Sequence, residues 1–309
     1  KRQLWSHVMK IYGALFVMLS IVGLLAACAE PGPPTWRDAA AATYPIGFGG
    51  LDAERESIQL RDGVYEGEPY APGGSSRPRV TLIPDFIRIG DLDGDGRDEA
   101  LVLLSASAGG SGTFDYLALL TRRSGSVETI GVAPLGDRVQ LMSATISDGD
   151  IALRVVQAGA DDAACCPGEV TDRVLSWRGG ALVETGSASS HRLSGADLAD
   201  RSWTLLSIDR EAIAGLESPV TLVIEGETVS GNSGCNGYRG TMTDGAETGA
   251  IRFSVLATTR MACPELQTGL EQRYLAALAQ TSGFRFLATR LLLVGADPAS
   301  AALLFEATP

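Results

Sequence analysis

The sequence predicts a mainly β protein in which an antiparallel sandwich or barrel-like domain precedes a small α+β domain. Short apolar runs recur about every ten residues between turn clusters of Gly, Asp and Ser, as in sandwiches and barrels. One segment near the C-terminus departs from this pattern, because its apolar residues recur at helical steps of three and four. A Ser/Gly/Ala-rich stretch over residues 185–195 predicts a linker between the two regions, and we place the domain boundary at residues 191–200.

The first 28 residues predict a bacterial lipoprotein signal peptide. Three basic side chains lie in the first ten residues, and residues 11–27 form an uncharged, mainly apolar run. This arrangement is typical of a secretory signal, although an uncleaved transmembrane anchor is the alternative for a run of this length. The box Leu-Ala-Ala-Cys at residues 25–28 resembles the lipoprotein signal, which implies that Cys28 is lipidated and becomes the N-terminus.

The residues after Cys28 predict a tether at the membrane. Ala29 resembles the outer-membrane sorting choice of Gram-negative lipoproteins, which implies an exported protein on the outer membrane or its periplasmic face. Residues 29–45 are predicted as a proline-rich tether followed by a short helix over residues 35–43, which Thr35 caps. The expected partners are the membrane, through the lipid anchor, and an unidentified envelope protein or glycan.

The charge of the remaining chain excludes several classes of function. The first 28 residues, here called the leader, contain three of the 25 basic side chains. The other 22 are all arginines, and the chain after the leader also contains 37 acidic side chains. Nucleic acid is therefore not an expected partner, because polyanions bind clustered Lys and Arg. Without a lysine after Lys10, the chain cannot form a Schiff base, a P-loop lysine contact or a Ser-Lys dyad.

The region over residues 46–190 is predicted to be a β-rich domain. Its predicted strands lie at residues 101–104, 116–120, 139–142, 151–156 and 173–177. Three of its segments, at residues 109–114, 135–139 and 164–167, resemble an uncharacterised region of bacterial lipoproteins that often precedes a META domain. The resemblance implies no activity.

An acidic loop in this domain, residues 91–99, is the sharpest chemical signal in the chain. Asp91, Asp93 and Asp95 alternate, a glycine follows, and Glu99 is the ninth residue. Calcium prefers six to eight hard oxygens, so this set predicts a calcium site. The spacing excludes an EF-hand, whose twelfth residue is Glu, and resembles loops of integrin-type β-propellers. The alternative is a metal-free Asp/Gly turn between two strands.

The region over residues 201–309 is predicted to be a curved antiparallel sheet with one helix. The helix is predicted over residues 264–280, with Pro264 in its first turn and Gly283 just past its end. Its predicted apolar face consists of Leu266, Leu270, Tyr274, Leu275 and Leu278. The predicted strands lie at residues 203–208, 220–224, 251–256, 284–287, 291–294 and 302–305.

Two motifs in this region carry a family resemblance. The first is SGNSGCNGYRG at residues 230–240, and the second is ATTRMACP at residues 257–264. Together with Trp203 and the helix that follows Cys263, they resemble the META (HslJ-like) domain. The resemblance implies a small β-rich fold with one helix, found in envelope lipoproteins and in a heat-shock protein linked to antibiotic tolerance. It implies no family-wide catalytic activity.

The motif residues Asn236, Tyr238 and Arg260 allow two interpretations. Glycines at every third position suit a bulged strand and tight turns, which favours a structural role for the motif. The alternative is a ligand-binding cluster formed by Asn236, Tyr238 and Arg239.

Four cysteines remain after Cys28, and export places them in an oxidising compartment. A disulfide between Cys235 and Cys263 is predicted, because both flank the family motifs and both lie in segments with strand character. The rival pairing joins one of them to Cys165 or Cys166, and two reduced cysteines are the other alternative. Cys165 and Cys166 form a vicinal disulfide or two buried thiols.

The function predicted from these features is that of a non-catalytic binding or structural module of the cell envelope, linked to stress tolerance. His191 is the one histidine after the leader and lies in the predicted linker, which disfavours nucleophilic catalysis by Ser or Cys. The alternative is a carboxylate-dependent hydrolase of envelope glycans, which needs no histidine. Asp115, Asp137 and Glu169 are its candidate carboxylates.

Overall fold

The computed structural model describes residues 32–48, 53–163, 165–216, 218–297 and 299–308. The leader and Cys28 lie outside these residues. The first part of the described chain contains a short helix, α1 (Trp36–Ala39), and antiparallel strands. These strands are β1 (Thr43–Ile46), β2 (Glu56–Gln59), β3 (Val64–Glu66), β4 (Arg79–Gly90), β5 (Glu99–Ser107), β6 (Phe114–Arg123), β7 (Ser126–Asp137), β8 (Gln140–Ser147), β9 (Asp150–Gln157), β10 (Glu169–Arg178) and β11 (Ala181–Arg192).

Helix α1 begins where the sequence predicts it but is shorter. The Thr35 hydroxyl caps the Asp38 N–H, and the Asp38 carboxylate accepts from the Thr35 N–H at 2.8 Å. The chain then enters β1 instead of continuing the helix, although alanines favour helix. Tertiary contacts favour the strand instead, because Tyr44 and Ile46 are fully buried and β1 pairs with β2.

Strands β3 to β7 form one sheet and strands β8 to β11 form another, as the predicted sandwich requires. Successive residues of a strand point to opposite faces of its sheet. Val102 and Leu104 therefore enter the core beneath α1 and β1, whereas Leu101 and Leu103 enter the core shared with the second sheet. Burial on both faces explains why the sequence of β5 is a continuous apolar run instead of an alternating one.

The predicted linker at residues 185–195 is wrong over most of its length, because β11 continues to Arg192. This strand lies at the edge of the second sheet and is exposed from Glu184 onward, so it lacks the apolar residues that mark the other strands. A 3-10 helix, Gly195–Leu198, follows. Leu193 and Leu198 are buried, so the predicted boundary at residues 191–200 is packed structure.

The second part of the chain is a curved antiparallel sheet with one helix, as predicted. Helix α2 (Glu265–Ala279) buries Leu270, Tyr274 and Leu278 in a core that includes Trp203, whereas Leu266 is 81% exposed. Pro264 is the N-cap, and Gly283 lies in a strand. The strands are β12 (Arg201–Ile208), β13 (Glu211–Ala212), β14 (Thr221–Glu225), β15 (Thr228–Asn232), β16 (Gly237–Asp244), β17 (Ile251–Phe253), β18 (Ala257–Thr258), β19 (Thr281–Leu287), β20 (Arg290–Gly295) and β21 (Leu303–Thr308).

The two parts pack against each other, and the chain from Gly32 onward forms one unit. Met142 and Val170 join the core around Trp203. The Gln140 side chain accepts a hydrogen bond from the Phe286 N–H at 2.9 Å. The division into two domains stays a prediction. Within the described ranges, neither helix has the length and apolar character needed to span a membrane.

Candidate functional site

The acidic loop joins β4 to β5. Asp91, Asp93 and Glu99 each place one carboxylate oxygen within 4.8 Å of the others. Glu99 is fully buried at the first position of β5, and this burial raises the pKa of its carboxyl group. Asp95 is not part of this group, and its carboxylate accepts from the Arg97 N–H at 2.9 Å.

The same carboxylates also order the loop backbone. Glu99 Oε2 accepts from the N–H groups of Leu92 and Asp93 at 2.9 and 3.2 Å, and its Oε1 accepts from Thr121 at 3.1 Å. Asp91 accepts from two glycine N–H groups of the loop. Each carboxylate oxygen has two lone pairs, so these bonds leave acceptor capacity for a cation. The arrangement fits both a calcium loop and a metal-free turn, and calcium binding stays a prediction.

Two further acidic residues that the sequence did not link to this loop line the same cleft. Asp148, in the turn between β8 and β9, and Asp150, the first residue of β9, line a space of about 430 Å3 together with Asp91 and Asp93. The Asp150 carboxylate already accepts one hydrogen bond, from the Ser176 hydroxyl at 2.5 Å. The Ser-Asp-Gly-Asp composition of residues 147–150 indicates a turn, but its proximity to residues 91–99 depends on the packing of the two sheets.

The glycine-rich motif at residues 230–240 spans the end of β15, a turn at residues 233–236 and the start of β16, and the turn contacts helix α2. The Glu271 carboxylate accepts from the Asn236 N–H at 3.0 Å, from the Asn236 side-chain amide at 3.1 Å and from the Ser233 hydroxyl. Asn236 Oδ1 accepts from the Thr259 hydroxyl at 2.9 Å and from the Met261 N–H at 2.8 Å. Asn236 therefore ties the first motif to the second motif and to the helix.

Tyr238 is also buried, and its hydroxyl bonds within the protein. It is 4% exposed, its hydroxyl donates to the Thr221 carbonyl at 2.8 Å, and the Tyr274 hydroxyl lies 2.7 Å away. Arg239 and Arg260 are exposed, so the motif residues do not converge on a common site. These contacts favour the structural interpretation of the motif over a ligand-binding cluster.

Close packing against β14 explains why the motif has a glycine at position 231. A Cβ atom at this position would lie 2.0 Å from the Thr221 carbonyl oxygen, so no larger residue fits without moving β14. The close approach lets the Tyr238 hydroxyl reach the same carbonyl.

Cys235 lies in a turn and Cys263 in a loop, so the prediction that these two cysteines occupy strands is wrong. The structure nevertheless brings these two to disulfide-bonding distance, with Cα atoms 6.2 Å apart. Cys165 and Cys166 are within bonding distance of each other in an exposed loop. The alternative of two buried thiols at these adjacent positions is therefore wrong.

The candidate carboxylates of the hydrolase hypothesis are only partly brought together. Asp115 and Asp137 lie at the same end of adjacent strands, whereas Glu169 begins β10 in the other sheet. Burial raises the pKa of Asp115 to about 7, and the charge of Asp137 adds to the rise. The Asp115 carboxyl is enclosed by hydrogen bonds from Ser105 and from the Val139 N–H, and the residue is 8% exposed.

Comparison with known proteins assigns the C-terminal region to a family. Residues 196–308 match the family model of the META domain. The chain carries a META domain. A protein from Burkholderia xenovorans with an NMR structure is 26% identical over 40% of this chain and 94% of its own, at a TM-score of 0.31. A second NMR structure is 20% identical over 34% of this chain and 87% of its own, at a TM-score of 0.29. No curated protein sequence matches the chain.

The META match begins five positions before the predicted start at residue 201. The added residues include Leu198, which is buried and whose carbonyl accepts from the Trp203 indole N–H at 3.1 Å. His191 lies just outside the match. Its ring nitrogen is 2.8 Å from the carboxylate of Asp197, so it connects the end of β11 to the first turn of the META domain.

Proposed function

We propose that this protein is an exported lipoprotein, anchored through Cys28, whose META domain is a non-catalytic structural and binding module of the envelope. The proposal rests on the hydrogen bonds of two motif residues, Asn236 and Tyr238. They bond to other groups of the protein, including the Glu271 carboxylate on helix α2. Buried polar groups that are fully hydrogen-bonded stabilise one conformation and leave no free donor or acceptor for a substrate. The leader supplies the export and lipidation signals, and a role in envelope stress tolerance follows from the family resemblance.

A hydrolase of envelope glycans is the competing function, and one observation favours it. A general acid works best with a pKa near neutrality, and the pKa of Asp115 is about 7. Enclosure argues against this role, because glycoside hydrolysis needs a carboxylic acid that reaches the scissile oxygen and a second carboxylate on the other side of the sugar. Asp115 is buried and already accepts hydrogen bonds from Ser105 and Val139, which disfavours contact with a substrate oxygen.

Incubation of the full chain with purified peptidoglycan tests the non-catalytic assignment. We expect no release of soluble fragments above the rate seen without protein. The matched variant is Asp115→Asn, which preserves shape and removes the titrating proton. Release by the native chain that disappears in a folded Asp115→Asn variant would instead establish a carboxylate-dependent hydrolase.

Crosslinking in isolated membranes tests the binding assignment. The full chain and its Cys28→Ser variant are expressed at equal levels, crosslinked, and analysed by mass spectrometry of the captured material. We expect one envelope component to be captured by the native chain and depleted when Cys28→Ser removes the anchor. Equal recovery of the same component from the native chain and from Cys28→Ser would mean that binding does not require the lipid anchor. That result would contradict a role that depends on the membrane.

A further inference from the structure

A second cleft, of about 380 Å3, lies between the two parts of the chain and contains an unusual concentration of arginine. The turn between β19 and β20 meets β4, β8 and the start of β12 there. Its charged lining residues are Asp85, Arg88, Arg201, Arg290 and Glu306. In a chain with 37 acidic residues and 22 arginines after the leader, a cleft in which arginines outnumber acids reverses the general charge balance.

Two of these guanidinium groups have no carboxylate partner among the described residues. Arg290 pairs with Asp85 at 3.1 Å. Arg88 instead donates to the Ile87 carbonyl at 3.0 Å and to the Thr289 hydroxyl at 3.4 Å, with its guanidinium 4.8 Å from the Phe86 ring centroid. Burial lowers the pKa of Arg88.

Arg201 lines the same cleft and has a similar environment. Its guanidinium lies 6.0 Å from the Trp203 ring centroid, and it forms no ion pair within the part of the chain that the structure describes. Both arginines are partly buried and rest against aromatic rings. A desolvated cation without a counter-ion is unfavourable, and an oxyanion placed between such groups forms strong charge-assisted hydrogen bonds.

The backbone around the cleft is strained in three places. Ala288 and Thr289 have φ angles of 49° and 73°, and Asp85 has a φ of 60°. A β-branched residue such as threonine rarely adopts this left-handed region. The Thr289 N–H donates to the Leu141 carbonyl at 2.7 Å, which holds the turn against β8. Backbone strain of this kind concentrates at functional sites, where the surrounding structure maintains it.

We propose that this cleft binds a small oxyanion, the carboxylate or phosphate group of a small molecule, through Arg88 and Arg201. The planar fork of a guanidinium matches both oxyanions, and the adjacent Thr289 and Ser143 hydroxyls supply further polar contacts. Glu306, which lines the same cleft, suits a hydroxyl or amine on the same molecule. The site is separate from the META motif and does not rest on the function proposed above.

Isothermal titration calorimetry of the full chain in non-ionic detergent tests the site. One series uses sodium phosphate and the other sodium succinate, at pH 7 and constant ionic strength. We expect saturable binding in at least one series, which assigns the oxyanion. Arg88→Gln and Arg201→Gln are each expected to weaken binding about tenfold, because each removes a charge-assisted hydrogen bond.

Arg273→Gln is the matched control, since Arg273 is half exposed and pairs with Glu211 on the surface. It makes the same change in net charge, and we expect less than a twofold effect. If Arg88→Gln is unfolded at the titration temperature, Arg201→Gln decides. The proposal is overturned if neither probe binds below about 10 mM, or if Arg273→Gln weakens binding as much as Arg201→Gln.

Discussion

The buried carboxyl group of Asp115 makes the stability of the fold depend on pH. Burial raises its pKa from 3.8 to about 7, against the hydrogen bonds from Ser105 and Val139, which lower it. The unfolded chain therefore loses this proton at about pH 4, whereas the folded chain keeps it until about pH 7. Because the folded-state pKa is the higher one, the stabilisation is fully present below pH 4 and is lost as the pH rises to about 7.

The size of the effect follows from the two pKa values. Each pKa unit between the folded and unfolded states corresponds to about 1.4 kcal/mol, so the whole change is about 4 kcal/mol at most. Asp115→Asn removes the titrating proton, and any cost of fitting the amide is independent of pH. Relative to the native chain, we therefore expect this variant to gain about 3 kcal/mol in free energy of unfolding between pH 5 and pH 8.

Urea unfolding at pH 5, 6, 7 and 8 measures this difference. The control is Asp172→Asn, because Asp172 is half exposed and pairs with Arg154 at the surface. Its free energy of unfolding relative to the native chain is expected to change by less than about 0.5 kcal/mol over the same range. Parallel pH profiles for the native chain and Asp115→Asn would refute the reasoning, since they would mean that Asp115 titrates alike in both states.

Three further predictions concern the anchor, the acidic loop and the cysteines. Cys28→Ser is expected to abolish lipidation and move the protein to the aqueous phase in detergent partitioning; a lipid-bearing product that begins at residue 28 would contradict the anchor. Millimolar calcium is expected to raise the melting temperature of the native chain, and Asp93→Asn to weaken that shift; no shift up to about 10 mM calcium leaves the metal-free turn. Non-reducing peptide mapping is expected to recover a Cys235–Cys263 crosslink, which stabilises the fold by about 3–4 kcal/mol; free thiols at both positions, or a crosslink to Cys165, would show the wrong pairing.

The sequence predicted well those elements whose pattern of apolar residues matches the faces that are buried in the structure. The apolar run at residues 101–104 is a strand buried on both faces, and the spacing of Leu270, Tyr274 and Leu278 marks the buried face of α2. Strand β11 was missed because an exposed edge strand needs no apolar residues. Strand β4 was missed because Pro84 and Asp85 interrupt it, and the structure accommodates them as an irregularity between Leu82 and Ile87.

The candidate sites depend more heavily on contacts between distant residues. The convergence of Asp91, Asp93 and Glu99 was predicted because nine consecutive residues contain it. The partnership of Asn236 with Glu271 spans 35 positions and was not predicted. One signal was available: Glu271 lies three residues before Tyr274 on the buried side of α2, and a carboxylate there requires buried hydrogen-bond donors. The arginine cleft has no local signal, because its lining residues come from separate strands.

The structural role of the META motif depends above all on the contact between Asn236 and Glu271. A double-mutant cycle with Asn236→Ala and Glu271→Gln, followed by urea unfolding, measures their interaction. Glu265→Gln is the control partner, because it makes the same change at an exposed position of the same helix. We predict a coupling energy of at least about 1 kcal/mol between Asn236 and Glu271, and additive effects with Glu265→Gln. Additive effects of Asn236→Ala and Glu271→Gln, within about 0.5 kcal/mol, would contradict the structural role of the motif.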